Sequence, residues 1–204
     1  MKIVFDFGGV VFRWEPQEFL TRLLPERAPT RSAARRLALD FFQAFGGDWS
    51  EFDRGRIEPG PLAVRIAARL GLAVDEARRV IDAIPGELQP VPETVDLVRR
   101  LHAAGQTLFF LSNMPFPYAR HLEANHDVFR FFERGVYSSR AGLIKPEPAM
   151  FAHAAEVFEA EPAELLLIDD IEVNIEAAKR AGWHGLRFEN ARRCASDLEA
   201  MRQG

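Results

Sequence analysis

Six polar residues, scattered across the chain, share one kind of local setting. Asp6, Ser112, Asn113, Asp169 and Asp170 each stand at the end of a short apolar run, and Lys145 stands in the loop after another. Two acids, a hydroxyl and an ammonium suit phosphate chemistry. A phosphate monoester is a dianion and repels an attacking carboxylate, so a divalent cation must offset the charge. Magnesium takes oxygen ligands, commonly one or two carboxylates with water and phosphate, and Asp6 and Asp170 can supply the carboxylates. Lys145 offers a compact point charge. Ser112 and the backbone N–H groups of the Gly8-Gly9 turn can donate to phosphate oxygens, and Asn113 can either do the same or hold its own loop. Phosphoryl transfer is accelerated mainly by such positioning and charge stabilisation. An Asp6 carboxylate attacking phosphorus would form an aspartyl-phosphate that water then releases.

These residues converge only if the runs before them are neighbouring strands. Ile3–Phe7, Leu108–Leu111, Gly135–Ser138, Leu165–Ile168 and Gly185–Phe188 read as short buried strands. Helical patterns alternate with them: Pro92–Ala104 before Gly105, Pro148–Phe158, and Val173–Ala181 before Gly182. That alternation predicts a Rossmann-like α/β/α core with a parallel sheet, whose ligands bind at the carboxyl ends of the strands. The stretch from Trp14 to Pro85 carries no strand pattern and reads as helices over Pro16–Leu24, Arg31–Phe45, Gly60–Leu70 and Asp75–Ile84. The expected organisation is a core of residues 1–13 and 86–204, with residues 14–85 inserted as a small all-helical cap over the crevice.

Composition agrees with a soluble globular chain: 204 residues, 48% apolar and 27% charged. A net charge of −4 argues against a nucleic-acid partner, whose phosphates attract clustered Lys and Arg. One cysteine, Cys194, excludes an internal disulfide and a cysteine-built zinc site. The acid at position 6 comes too early for a signal peptide, and no run approaches the roughly 20 apolar residues of a membrane span. A cytoplasmic protein acting on a small phosphate ester, without a membrane partner, is the expectation. Of 26 basic residues only Lys2, Lys145 and Lys179 are lysines, which singles out the one that precedes a proline.

With these positions in hand, the chain resembles the haloacid dehalogenase superfamily of hydrolases over essentially its whole length. The four family motifs look like Asp6-Phe7-Gly8-Gly9-Val10, Leu111-Ser112-Asn113, Lys145-Pro146 and Ile168-Asp169-Asp170 with Asn174 following. The resemblance implies the variety whose helical cap follows the first motif. It implies Asp6 as nucleophile and Mg2+ held by Asp6, the Gly8 carbonyl and Asp170. Asp169 and Asn174 then brace the site, and Ser112 and Lys145 hold phosphate.

One position departs from the phosphatase pattern. Where that pattern has a second Asp, two residues after the nucleophile, this chain has Gly8. The metal contact survives through the backbone carbonyl, but the proton donor does not. General acid–base help is typically worth about 10²–10⁴ in rate, or roughly 3–5 kcal/mol of barrier. A leaving group that needs no acid would meet the loss, and within the superfamily the Asp-x-Gly motif resembles bacterial enzymes acting on sugar phosphates such as glucose 1-phosphate. Another residue could move protons instead: Glu15, Glu172 or a side chain of the cap. Phe45, Trp49, Phe52, Asp53 and Arg54 lie where the cap could face substrate. Two further readings compete: a metal-independent 2-haloacid dehalogenase, and a catalytically weak binding or regulatory protein on the same fold. The five histidines show no helical metal spacing, and no Gly-x-Ser-x-Gly elbow surrounds Ser112.

Overall fold

The structure, a computed structural model, describes residues 1–43 and 45–203. Strand β1 (Lys2–Phe5) is followed by five helices: α1 (Pro16–Leu23), α2 (Arg31–Phe42), α3 (Gly47–Asp53), α4 (Pro59–Leu70) and α5 (Val74–Glu87). Then come α6 (Pro92–Ala103), β2 (Leu108–Ser112), α7 (Phe116–Asn125), β3 (Arg134–Tyr137), α8 (Ser138–Ala141) and α9 (Pro148–Phe158). The chain closes with β4 (Leu165–Asp169), α10 (Glu172–Arg180), β5 (His184–Arg187) and α11 (Ala191–Gln203). The strands form one parallel sheet in the order β3-β2-β1-β4-β5.

The strands read as unbroken apolar runs because both faces of the sheet are covered. Alternate residues go to opposite sides. Val4, Phe109, Leu111, Leu165 and Leu167 pack with α9 and α10 through Met150, Phe151, Ala154 and Ile175. Ile3, Phe5, Leu108, Phe110, Leu166 and Ile168 pack on the other face, with Leu97, Val98 and Leu101 of α6 and Cys194 and Leu198 of α11. The fold is thus the three-layer α/β arrangement that the alternation of strands and helices predicts.

Several boundaries differ from expectation, each for a local reason. β1 stops at Phe5 because the Phe7 carbonyl turns to accept from Val10, Val11 and Phe12, which winds residues 7–12 into a turn. α2 ends at Phe42, where Gln43 takes a left-handed conformation with φ 46°. The last residues of the expected helix Arg31–Phe45 therefore fall beyond it, and residue 44 lies outside the described residues. α3, α7, α8 and α11 had no counterpart among the expected helices. α3 and α8 are too short to show a period, and α7 opens on the Pro115-Phe116-Pro117 stretch, which as sequence reads as a loop although proline is welcome in a first helical turn. Among the described residues no helix is long and apolar enough to cross a membrane.

Candidate active site

Pairing of β1 with β4 brings together residues more than 160 apart. Phe5 stands opposite Ile168 in the register, so the next residues, Asp6 and Asp169, emerge side by side. The Asp6 N–H donates to the Ile168 carbonyl at 2.9 Å and fixes that first step off the ladder. This is also where the strand order reverses direction, with β2 on one side of β1 and β4 on the other, the usual ligand crevice of an open α/β sheet. One carboxylate oxygen from each of Asp6, Asp169 and Asp170 lies within 4.8 Å of the other two.

Lys145 reaches this group from the loop after β3. Its Nζ is 3.0 Å from Asp6 Oδ1 and donates to Asp169 Oδ2 at 2.6 Å, with the lysine side chain 1% exposed. Its backbone is clamped by Asn113. The Lys145 N–H donates to Asn113 Oδ1 at 2.8 Å, and Asn113 Nδ2 donates to the Lys145 carbonyl at 2.9 Å. Asn113 therefore braces the lysine loop. Its Nδ2 carries a second hydrogen, and Asn113 also lines the cavity described below, so bracing the loop leaves one donor for a ligand.

The two adjacent acids divide their work. Asp169 accepts from Lys145 Nζ, from Asn174 Nδ2 at 3.0 and 3.1 Å, and from the Ile171 N–H at 2.8 Å, so both its oxygens are engaged. Asp170 Oδ1 is buried with no hydrogen-bond partner, and so is Ser112 Oγ. These are oxygen donors of the kind a cation and a phosphate would satisfy. Gly9 makes room for Asp170: it has φ +80°, and a Cβ there would stand 2.5 Å from Asp170 Oδ2. Gly8 lines the cavity, and a Cβ there would meet nothing nearer than Trp14 Cβ at 4.0 Å. Packing therefore does not force a glycine at position 8.

Burial governs the charges. Desolvation pushes Asp6 up to about 7, against the pull of Lys145 and with the help of Asp169 and Asp170. Desolvation and then Asp169 raise Asp170 to about 6. Burial alone would lower Lys145, but the charges of Asp169 and Asp6 outweigh it and hold the ammonium above its ordinary value. A site that strains its own carboxylates in this way favours an added cation.

Asp6, Gly8, Ser112, Asn113, Lys145 and Asn174 form the floor of a cavity of about 270 Å³. Its upper wall comes from the helical segment α1–α5 and its flanks: Trp14, Phe42, Phe45, Trp49, Asp53, Ile84 and Leu88. Met114, Tyr118 and Ile171 complete it. The Tyr118 hydroxyl donates to the Ile81 carbonyl at 2.8 Å and is thereby engaged by backbone. A wider groove of about 620 Å³ lies elsewhere, between α1 and α2, and contains none of the strand-end residues.

Of the residues expected to face substrate from the helical segment, Phe45, Trp49 and Asp53 line the cavity. Phe52 is packed against Trp49 and Tyr118. Arg54 is turned to Glu147, with Nη1 donating to Oε2 at 2.8 Å. Glu15 and Glu172, named as possible proton carriers, pair with Arg13 and Arg187, and neither lines the cavity. Trp14, Met114 and Tyr118 were not singled out from sequence. Trp14 lies four residues after the first motif, which is the one signal that could have found it.

Asp53 stands apart electrostatically. Desolvation pushes it up to about 8, with Arg54 opposing and Asp6 assisting. Between pH 4 and about 8 the folded protein keeps a proton that the unfolded chain releases, so this residue makes stability fall as pH rises through that window. Asp53→Asn is expected to flatten the decline by up to about 1.4 kcal/mol per pH unit. Urea unfolding of both proteins at pH 5 and pH 8 measures the difference, and parallel declines would contradict it.

Fold and site together define a three-layer α/β protein of parallel-sheet type with an acid–lysine cluster at the strand ends. The sequence profile of the haloacid dehalogenase-like hydrolases matches residues 3–182, and the chain belongs to that family. Among curated proteins, a sesquiterpene phosphatase of Aspergillus oryzae is 24% identical over 198 residues, covering 97% of this chain and 94% of that one. A phosphoglycolate phosphatase of Salmonella paratyphi A is 27% identical over 110 residues, covering 52% of this chain and 44% of that one. Among solved structures, a HAD-family enzyme of Bacteroides thetaiotaomicron in complex with magnesium and inorganic phosphate superposes with a TM-score of 0.71 at 20% identity, over 92% of this chain and 93% of that one.

Proposed function

We propose that this hydrolase is a magnesium-dependent phosphomonoesterase that passes the phosphoryl group through Asp6. The observation that carries the reading is the meeting of Asp6, Lys145 and Asp170 at one pair of strand ends, with Asp170 Oδ1 and Ser112 Oγ buried and unbonded. Asp6, Asp170 and the Gly8 carbonyl would hold Mg2+, which when bound offsets the negative charge of carboxylates and phosphate. Asp169 is committed to Lys145 and Asn174, which leaves Asp170 as the freer ligand. Asp6 attacks phosphorus, Lys145 steadies the charge that builds on the phosphoryl oxygens, and Ser112 donates to one of them. The phosphatase relatives support this chemistry.

The cavity beyond the phosphate end is apolar. Trp14, Phe42, Phe45, Trp49, Ile84 and Leu88 face it. On that wall, among the described residues, Asp53 is the one ionisable group, so most hydroxyls of a sugar ring would lack partners, each at a desolvation cost of roughly 1–3 kcal/mol. We therefore assign the substrate as a phosphate monoester with an apolar organic group, in keeping with the full-length similarity to a sesquiterpene phosphatase. The test is phosphate release from isoprenyl, aryl and sugar phosphates, with magnesium and with EDTA. Expected is release that EDTA removes, with kcat/KM at least tenfold higher on isoprenyl or aryl esters than on glucose 1-phosphate. Preference for the sugar ester would overturn the substrate class. Halide release from a 2-haloacid without metal would overturn the reaction.

A further inference from the structure

We propose that Asp53, the last residue of α3, is the catalytic acid and base that Gly8 cannot be, a role that rests on the phosphoryl-transfer reading above. Asp53 lines the same cavity as Asp6, Gly8, Ser112 and Lys145, although it lies 47 residues beyond Asp6 in the chain. Its carboxyl makes no hydrogen bond to any described residue and is close enough to Asp6 and Lys145 for their charges to act on it. The other titratable side chains lining that cavity, among the described residues, are Asp6, Lys145 and Tyr118. Asp6 is the nucleophile, Lys145 is held between two carboxylates, and the Tyr118 hydroxyl is engaged by backbone.

The position of Asp53 is built into the fold. Ser138, fully buried at the start of α8 just after β3, donates from Oγ to the Asp53 carbonyl at 2.6 Å. The same oxygen accepts from the Met114 N–H at 2.8 Å, next to the second motif. One hydroxyl thus ties the end of α3 to the loops after β2 and β3, the loops that also deliver Ser112 and Lys145. The neighbouring Arg54 ties to Glu147, two residues after Lys145. These ties fix the backbone at Asp53 against the loops after β2 and β3, which sets where its carboxyl enters the cavity.

The groups whose charges bear on this carboxyl are Arg54, Asp6 and Lys145, and its own charge bears on Tyr118. Arg65 and Arg69 of α4 pair with Asp48 at the far end of α3, and Arg140 of α8 pairs with Glu123. Burial keeps Asp53 protonated at neutral pH, as a donor requires.

The two steps balance. In the first, an Asp6 Oδ–P bond forms, the ester O–P bond breaks, and the Asp53 proton passes to the departing alkoxide oxygen. In the second, a water oxygen bonds phosphorus, one water proton passes to the Asp53 carboxylate, and the Asp6–P bond breaks to give inorganic phosphate.

The test compares Asp53→Asn with wild type on two magnesium-supported reactions, a primary alkyl phosphate and 4-nitrophenyl phosphate, by single-turnover release of the alcohol or phenol. A phenol departs without an acid and an alkoxide does not. The expected loss on the alkyl ester exceeds the loss on the aryl ester by roughly 10²–10⁴-fold. Equal losses, including none, would overturn the proposal, since a merely structural role weakens both alike. Wild-type inertness on both esters would overturn the phosphohydrolase reading, and this role with it. A thermal midpoint no lower than that of wild type for the neutral, equally sized Asn separates lost chemistry from lost fold.

Discussion

Asp6→Asn is expected to abolish turnover of every phosphate ester while leaving the protein folded. An amide does not attack phosphorus, and removing a covalent nucleophile typically costs on the order of 10⁴–10⁶ in kcat. Stability should not follow activity. Asp6 is already an uncomfortable carboxylate, pushed up to about 7 by burial and by the charges of Asp169 and Asp170. A neutral amide of the same shape relieves that repulsion, and Lys145 keeps its 2.6 Å contact with Asp169. The thermal midpoint of the metal-free variant is thus expected to equal or exceed that of wild type. Parallel activity and scanning calorimetry measurements decide it. Residual turnover within tenfold of wild type would remove Asp6 from the nucleophile's role.

The second large effect has the opposite character. Lys145→Met is expected to damage both the fold and the reaction. Lys145 is 1% exposed and sits between Asp6 and the fully buried Asp169. Removing the cation leaves buried carboxylates facing one another, and breaking such a pair costs about 3–5 kcal/mol. For a chain of this size that is a fall in melting temperature of roughly 6–20 °C. Lys179→Met provides the contrast, since that lysine pairs with Glu176 at the surface, where water and salt screen the pair. Thermal unfolding of the two variants side by side gives the answer. A Lys145 variant as stable as the Lys179 variant would show that the buried ion pair does not hold the site together.

The core of the site was legible because its residues follow strands. An apolar run long enough to be buried on both faces is visible in sequence, and the residue that ends it is necessarily at the strand's end. Asp6, Ser112, Asp169 and Asp170 were found that way. Asn113 was placed at the right strand end with two tasks open, and the structure shows it holding the lysine loop. Nothing local distinguishes an amide aimed at a ligand from one aimed at the backbone of residue 145, 32 positions away.

The helical segment was legible only as helices. α3 spans seven residues, too few for an apolar period to declare itself. Asp53 could therefore be named as a candidate from its position, but not separated from Phe52 and Arg54. In the structure one packs inward, one faces a glutamate and one enters the cavity. Helical rotation of 100° per residue sends successive side chains in different directions, so the sequence order of these three carried no ranking.

What the sequence alone determined is the chemistry available: three carboxylates and a hydroxyl at strand ends, an ammonium in a loop after another strand, and no acid at position 8. Side-chain types and strand ends are local properties, and local order is written in the chain. What the tertiary structure decided is direction and company. It set which oxygen of the acid pair is left unbonded, which amide is already engaged, and which acid of the helical segment shares a cavity with Asp6. Those outcomes depend on packing between elements far apart in sequence, where burial fixes both the pKa and the partner.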